Sequence, residues 1–195
     1  MSNVKKYTDK QLLDRVKLMT NYKEIPSGYW ILGVRSNEDE TNIFDDKFYV
    51  YKADVFQMVL TGTTNPGTTI LRNYYKYNSK GAAILASDRW YYNVWNYGMH
   101  RGKIPALIQT GAPVLVYRDG DKDGKSEQLG QAELGWFGIN FHLNSYDLKN
   151  KIVKSQIGAW SAGCQVPNEP EKYVELMNIF KYISTPVTYC LINEF

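Results

Sequence analysis

Cysteine and histidine are both scarce in this chain, which has two of each among its 195 residues. Two cysteines are too few for a disulfide framework. The net charge of +3 is small, and the lysines and arginines are interspersed with acidic residues rather than gathered into a basic stripe. We therefore expect no nucleic-acid partner, because proteins that bind nucleic acids usually carry such a stripe.

Long apolar runs are also missing. No stretch approaches the roughly 20 residues that a membrane-spanning helix requires. Residues 1–19 lack the apolar segment of a secretory signal. We therefore expect a protein with no membrane span, made in the cytoplasm without a signal peptide.

Aromatic residues, by contrast, are abundant, with 16 tyrosines, seven phenylalanines and five tryptophans. They cluster in segments such as RWYYNVWNYG, residues 89–98. Aromatic side chains favour β-strands and core packing, so the favoured interpretation is a β-rich core. The alternative is the wall of a cleft that binds a sugar or a peptide.

Two segments have the pattern of amphipathic helices. Thr8 and Gln11 match a capping box, and the apolar spacing that follows predicts a helix over residues 9–20. The segment EPEKYVELMNIFKYI starts with acidic residues and places apolar side chains on one face. It predicts a second helix over residues 170–183.

Most of the remaining chain consists of short apolar or alternating stretches between turn-forming residues, as strands do. YWILGVRS, residues 29–36, predicts one strand, and KFYVYKADVFQMVL, residues 47–60, predicts a long strand or two joined strands. We therefore predict a mainly β or α+β fold. It is a single domain over residues 1–195, with a helical lead-in over about residues 1–25 and a helix after the loop that contains a cysteine.

The two cysteines have different surroundings. Cys190 lies in an alternating apolar run near the C-terminus and is expected to be inert core. Cys164, in WSAGCQV, follows a glycine in a stretch without helical or strand periodicity. It is either a small apolar residue in a tight turn or a nucleophile that the turn presents.

A cysteine nucleophile needs a base, and imidazole is the usual one. His142 ends the segment GWFGINFH, which alternates as a strand would, so we expect its ring to point into a cleft. We predict that Cys164 and His142 lie close together and that the pKa of the thiol is well below its usual value. Ala162 and Gly163 are small enough to leave their N–H groups open to an oxyanion.

The order INFH, then the 18 residues 143–160, then SAGCQV resembles the catalytic motif of the L,D-transpeptidase (YkuD-type) family. The resemblance covers about residues 105–195, the region that would carry the catalytic motif. The stretches TGTTNPG, GMHRGKIPALIQ and VLVYRDGDKDG extend it towards a divergent, phage-type branch, from about residue 55.

The resemblance implies a role for each residue of the motif. Cys164 would be the nucleophile and His142 its base, with the Leu143 carbonyl orienting the imidazole ring. The N–H groups of Ala162, Gly163 and Cys164 would form the oxyanion hole. The chain departs from the family pattern at Ala162, where the motif has a histidine, and in the continuation QVPN.

The resemblance implies a peptidoglycan-acting cysteine enzyme that attacks a stem-peptide carbonyl and uses no cofactor. Without a signal peptide or a wall-binding module, hydrolysis by a phage lysin or virion enzyme is a better expectation than cross-linking. Such an enzyme would be made in the bacterial cytoplasm and act at the cell wall after release or virion delivery. Its partners would be stem peptides, with other virion proteins as further candidates.

Four residues are expected on the substrate side of the site: His100, Arg101, Trp160 and Ser161. The Arg101 guanidinium offers a fork for a peptide carboxylate. Because Ala162 leaves space that a histidine fills in the family, we predict that residues 89–101 form one wall of the cleft. The alternative for His100 is a half-buried loop residue.

Two other functions stay open. His100, His142 and Cys164 are a ligand set for a catalytic zinc with an open fourth position, as in a zinc-dependent wall amidase, although no short ligand-spacing motif accompanies them. The second is a non-catalytic virion or wall-binding protein.

The segment DGDKDG, residues 119–124, copies the first half of an EF-hand loop. Position 12 of that loop is Gly130 instead of the bidentate glutamate, and no flanking helices are predicted. A β-hairpin turn rich in Asp and Gly is therefore favoured over a calcium site.

Overall fold

The computed structural model describes residues 4–38 and 40–195, and it confirms a mainly β fold with helices. The helices are α1 (Asp9–Lys17), α2 (Thr68–Arg72) and α3 (Pro170–Phe180), with a short 3₁₀ turn at Tyr74–Lys76. The strands are β1 (Tyr29–Arg35), β2 (Asp46–Lys52), β3 (Val55–Thr63), β4 (Ala83–Leu85), β5 (Arg89–His100), β6 (Ile104–Gln109), β7 (Val114–Arg118), β8 (Glu133–Gly135), β9 (Val166–Pro167) and β10 (Val187–Asn193). In the described part of the chain, no helix has both the length and the apolar character needed to cross a membrane.

The larger sheet has seven strands in the order β6-β5-β10-β1-β2-β3-β9. β1 and β10 pair in parallel at its centre, and the other neighbours in this sheet are antiparallel. The side chains of Trp30 and Ile31 in β1 belong to different buried clusters, because successive side chains of a strand point to opposite faces. The sheet is therefore covered on both faces.

Helix α1 covers one face. The predicted capping box of Thr8 and Gln11 is present, and Leu12 and Val16 are buried in the same cluster as Trp30. The helix ends at residue 17 rather than 20, because the next two N–H groups bond to carbonyls three residues back and tighten the last turn.

The opposite face is covered by α3, which is the predicted helix after the cysteine loop, and by the small sheet β4-β7-β8. Tyr173, Leu176 and Phe180 of α3 are fully buried in the cluster that contains Ile31. Val116 of β7 belongs to the same cluster. The apolar face read from the sequence is therefore the face that packs on the sheet.

Strand β5 contains most of the aromatic segment. Trp90, Tyr91 and Trp95 are buried, and the two indole N–H groups donate to the carbonyls of Val16 and Ile139. Core packing is therefore confirmed for these rings. The prediction that residues 89–101 form one wall of the Cys164 cleft applies only to the end of the segment, because His100 and Arg101 line that cavity while the inward rings pack in the two cores.

The segment predicted as a strand before the histidine is not a regular strand. Residues 136–140 belong to no strand. The Phe137 and Ile139 N–H groups donate to the Gln109 side-chain oxygen, at 3.1 and 2.9 Å, instead of to a neighbouring strand. Only Phe141 forms β-bridges, one on each side. An alternation of apolar residues does not reveal that a side chain takes the place of the main-chain hydrogen bonds between strands.

Candidate active site

Cys164 lies in a turn that closes on itself. The Ser161 hydroxyl donates to the Cys164 carbonyl at 2.8 Å and accepts from the Gly163 N–H at 3.2 Å. Gly163 has φ of +122°, and a Cβ there would lie 2.4 Å from the Ala83 carbonyl oxygen, so only glycine fits. Ser161 is fully buried. The prediction that it contacts substrate is therefore corrected, since its hydroxyl shapes the turn.

His142 lies beside this turn because main-chain hydrogen bonds join the two segments. Its N–H donates to the Gln165 carbonyl at 3.2 Å, and the Gln165 N–H donates to the Asn140 carbonyl at 2.8 Å. Nδ1 of His142 lies 2.9 Å from the Leu143 carbonyl oxygen. A carbonyl only accepts, so Nδ1 carries the proton and Nε2 has the lone pair. This is the ring orientation that the family resemblance implies.

Six of the predicted residues line one cavity of about 160 Å³: His100, Arg101, His142, Trp160, Ala162 and Cys164. Four residues that the sequence did not single out also border it: Ile70, Tyr77, Tyr146 and Ala159. A larger cavity of about 430 Å³ lies elsewhere on the molecule and contains none of the predicted site residues. The smaller cavity is therefore the candidate active site.

The two imidazole rings of the chain form a stacked pair. The centroids of His100 and His142 are 3.8 Å apart and the ring planes differ by 18°. Asn140 orients the first ring, because its Oδ1 accepts from the Gln109 N–H at 2.9 Å and its Nδ2 therefore faces His100 Nδ1, at 3.1 Å. Neutral His100 then carries its proton on Nε2. Asn140 was not predicted as a site residue, because the one signal for it in the sequence is its position two residues before His142.

Burial keeps both rings and the thiol neutral. Burial, and next the repulsion from His100 when that ring is protonated, lowers the pKa of His142 to about 3. Burial, and next the Arg101 charge, lowers the pKa of His100 to about 4. Burial raises the pKa of Cys164 to about 11, outweighing the opposing Asn140 N–H and Arg101 charge. The expected low thiol pKa is therefore wrong for this structure, in which the resting pair is an uncharged thiol and an uncharged imidazole.

The Cys164 sulfur has partners other than the histidine. Its S–H donates to the Gly138 carbonyl at 3.4 Å, and the sulfur accepts from the Asn140 N–H at 3.5 Å. Among the described residues, no hydrogen bond joins it to His142. The two groups share a cavity, and the S–H must turn away from Gly138 before its proton can pass to the imidazole.

The oxyanion hole implied by the resemblance is smaller than expected. The Gly163 N–H already donates to the Ser161 hydroxyl, so it is not available to a substrate. The N–H groups of Ala162 and Cys164 make no hydrogen bond with any described residue. Two of the three implied donors therefore remain unused by the described part of the protein.

The zinc hypothesis finds no support in the arrangement of the ligands. Across residues 4–38 and 40–195, the only group of three or more His, Cys, Asp or Glu side chains with converging ligand atoms is Asp119, Asp121 and Asp123. The near-parallel stacking of the two imidazoles turns ring faces, not ring nitrogens, towards each other.

No known protein family, curated protein sequence or solved structure matches this chain. The likeness to the L,D-transpeptidase motif therefore stays a prediction from the sequence. Function has to be inferred from the arrangement of the residues in the cavity.

The raised thiol pKa predicts how Cys164 reacts with an alkylating agent. We expect iodoacetamide to modify it slowly at pH 7, and the rate to rise about tenfold per pH unit up to pH 9.5, because the thiolate is the reactive form. Peptide mass spectrometry after timed quenching measures the rate. Cys190 is fully buried, so the variant Cys164→Ser provides the background. A rate that levels off below pH 8.5 would show that the thiol is activated after all.

Proposed function

We propose that this chain is a cysteine enzyme that attacks a carbonyl of peptidoglycan stem peptides, and that it releases the product by hydrolysis. The observation that best supports the proposal is that Cys164 and His142 line the same cavity, with the His142 proton held on Nδ1 by the Leu143 carbonyl. The order of these residues in the sequence, which resembles the L,D-transpeptidase motif, supports it independently.

In the proposed first half-reaction, the thiol gives its proton to His142 Nε2 as the sulfur attacks the carbonyl carbon. The proton transfer accompanies the attack because thiol and imidazole are both neutral at rest. The carbonyl oxygen becomes an oxyanion that the Ala162 and Cys164 N–H groups can bind. The intermediate then collapses, the C–N bond breaks, and the imidazolium returns its proton to the departing amine.

The second half-reaction uses the same base. His142 takes a proton from water as the water oxygen attacks the thioester carbonyl carbon, the C–S bond breaks, and the imidazolium returns its proton to the departing sulfur to regenerate the thiol. An amine acceptor in place of water would give cross-linking. Mass spectrometry of the muropeptides separates the two outcomes, since hydrolysis adds one water to the cleaved fragments and cross-linking joins two of them.

Arg101 supports the choice of an anionic peptide as substrate. It is the one lining residue of the cavity, in the described chain, with a permanent charge. Arg101 and Gly102 have φ of +51° and +69°, as the two central residues of a tight hairpin turn between β5 and β6 do. The Arg101 guanidinium lies 3.4 Å from the Tyr146 hydroxyl, and Lys103 Nζ is 4.4 Å from the Tyr146 ring centroid. This cationic rim suits a carboxylate.

The position of Ala162 between two cavities supports the proposal of an extended substrate. Together with Ile70 and Tyr77 it borders both the 160 Å³ cavity and a neighbouring cavity of about 300 Å³. At about 30 Å³ per water, the smaller cavity holds about five waters, which is room for the end of a peptide. The second cavity offers room for the residues that follow.

If Arg101 holds a substrate carboxylate, Arg101→Ala should raise KM more than it lowers kcat, because the contact exists in both ground and transition states. We expect kcat/KM on muropeptides to fall about ten- to a hundredfold, as for loss of a charged bidentate pair. Arg101→Asn is the matched control. It also removes the charge but tolerates positive φ better than alanine, so equal kinetic losses with different melting temperatures would separate the charge from the backbone. Unchanged kinetics in both variants would refute the role.

A further inference from the structure

The three aspartates of DGDKDG converge in the folded protein. One ligand oxygen from each of Asp119, Asp121 and Asp123 lies within 4.8 Å of the others. The segment begins the connection between the antiparallel strands β7 and β8, which covers residues 119–132 and is longer than the hairpin turn predicted from the sequence. A turn would explain why the loop is rich in Asp and Gly. It would not explain why three carboxylates lie close together, since like charges repel each other.

The burial of Asp119 separates this cluster from an ordinary acidic turn. Asp119 is only 1% exposed. Its Oδ1 accepts from the Lys122 N–H at 3.1 Å, but its Oδ2 is buried without any hydrogen-bond partner among the described residues. A buried carboxylate oxygen without a partner is costly, and a cation bound at the cluster would supply the missing partner.

The basic side chains near the loop do not supply this partner. Lys122 Nζ lies 4.8 Å from the Tyr74 ring centroid, and Lys125 Nζ lies 3.4 Å from Asp123 Oδ2 at a solvent-exposed site. Arg118 forms its ion pair with Glu133. Within the described residues, no lysine, arginine or histidine forms an ion pair with Asp119.

We propose that Asp119, Asp121 and Asp123 bind a calcium ion. Carboxylates at alternate positions followed by Gly124, whose φ is +89°, are the first half of a calcium-binding loop. Ca²⁺ suits a cluster on one loop better than Mg²⁺, which demands near-ideal octahedral geometry and gives up its waters reluctantly. Because Gly130 replaces the bidentate glutamate, the expected dissociation constant is about 10⁻⁴–10⁻³ M, as in extracellular modules.

A calcium ion at this site would stabilise the segment that leads into β4, which contacts the turn containing Cys164. The Asp119 N–H donates to the Ala82 carbonyl at 3.0 Å, and the next carbonyl along the chain, that of Ala83, abuts Gly163. Calcium is therefore expected to stabilise the protein whether or not the chain is an enzyme. The inference does not depend on the proposed function.

Thermal unfolding and terbium luminescence of the full chain test the calcium site. We expect 10 mM CaCl₂, added after treatment with a chelator, to raise the melting temperature by about 3–8 °C, and 10 mM MgCl₂ to give a much smaller rise. Excitation of nearby tyrosines such as Tyr74 should give TbCl₃ luminescence that CaCl₂ displaces. Asp121→Asn and Asp123→Asn alter exposed side chains, so both variants should fold but lose these responses.

Asp54→Asn is the matched control, because Asp54 is an exposed carboxylate in the turn between β2 and β3, and it should respond as the wild type does. Three results would overturn the proposal: no response to calcium, an equal response to magnesium, or unchanged responses in the Asp121 and Asp123 variants. The measurements do not involve enzymatic activity. Their failure is therefore distinguishable from failure of the proposed cysteine chemistry.

Discussion

Cys164→Ala is expected to abolish the conversion of muropeptides, with a loss in kcat of about 10⁴-fold or more, down to the background rate. The reason is that the proposed acyl-enzyme cannot form without the sulfur, and removal of a nucleophile usually costs several orders of magnitude. Product formation from purified peptidoglycan, followed by liquid chromatography and mass spectrometry, measures the effect. Wild type and variant should have the same circular dichroism spectrum, because Cys164 is partly exposed at the cavity.

Cys190→Ala is the matched control for this experiment. Cys190 is fully buried in the cluster under α1, away from the cavity, so the variant should lose some stability and keep its turnover. Equal activity of Cys164→Ala and wild type would refute the cysteine mechanism. Inhibition of the wild type by 1,10-phenanthroline would favour the zinc amidase, in which Cys164→Ala would also be inactive because Cys164 would be a zinc ligand. A folded wild type that binds peptidoglycan without converting it would favour a non-catalytic wall-binding protein.

The second large effect concerns stability in acid. His142 has a folded-state pKa of about 3, against 6.5 for the free side chain. As the pH falls below 6.5, His142 becomes protonated in the unfolded chain but stays neutral in the folded protein. The free energy of unfolding therefore decreases between pH 6.5 and about 3. The loss attributable to His142 should be about 3 kcal/mol by pH 4. That is a large part of the 5–15 kcal/mol that typical domains possess.

Urea unfolding at pH 7, 5.5 and 4 measures this loss, and His142→Asn is the informative variant. Asparagine does not titrate, and its amide can donate to the Leu143 carbonyl in place of Nδ1. The variant keeps every carboxylate of the wild type, so the difference between the two pH profiles isolates the histidine. Parallel profiles would show that the His142 ring is not held neutral by burial.

Elements stabilised by local interactions could be predicted from the sequence. The capping box at Thr8 and Gln11 and the apolar face of α3 involve residues three or four apart, and both are present. The strand predicted before His142 was wrong for the opposite reason. Its N–H groups bond to Gln109, about 30 residues away, and no local pattern records that partner.

In the candidate site, too, some features could be predicted from the sequence and others depend on contacts between distant residues. The order of residues predicts which chemical groups are available: a thiol behind a glycine and an imidazole, in the order of a catalytic motif. It could not determine their protonation or partners. Those depend on burial and on contacts between distant segments, such as the Ala83 carbonyl against Gly163 and the His100 ring against His142.

The three aspartates show the division most clearly. Their spacing in the sequence favours a hairpin turn over a metal site, although both use Asp and Gly at these positions. In the folded protein, Asp119 is buried with an unpartnered oxygen while Asp121 and Asp123 stay exposed, and this difference depends on contacts outside the loop. Burial changes the free energy of a charged group far more than its place in the sequence does, because the surrounding protein replaces the water that would solvate it.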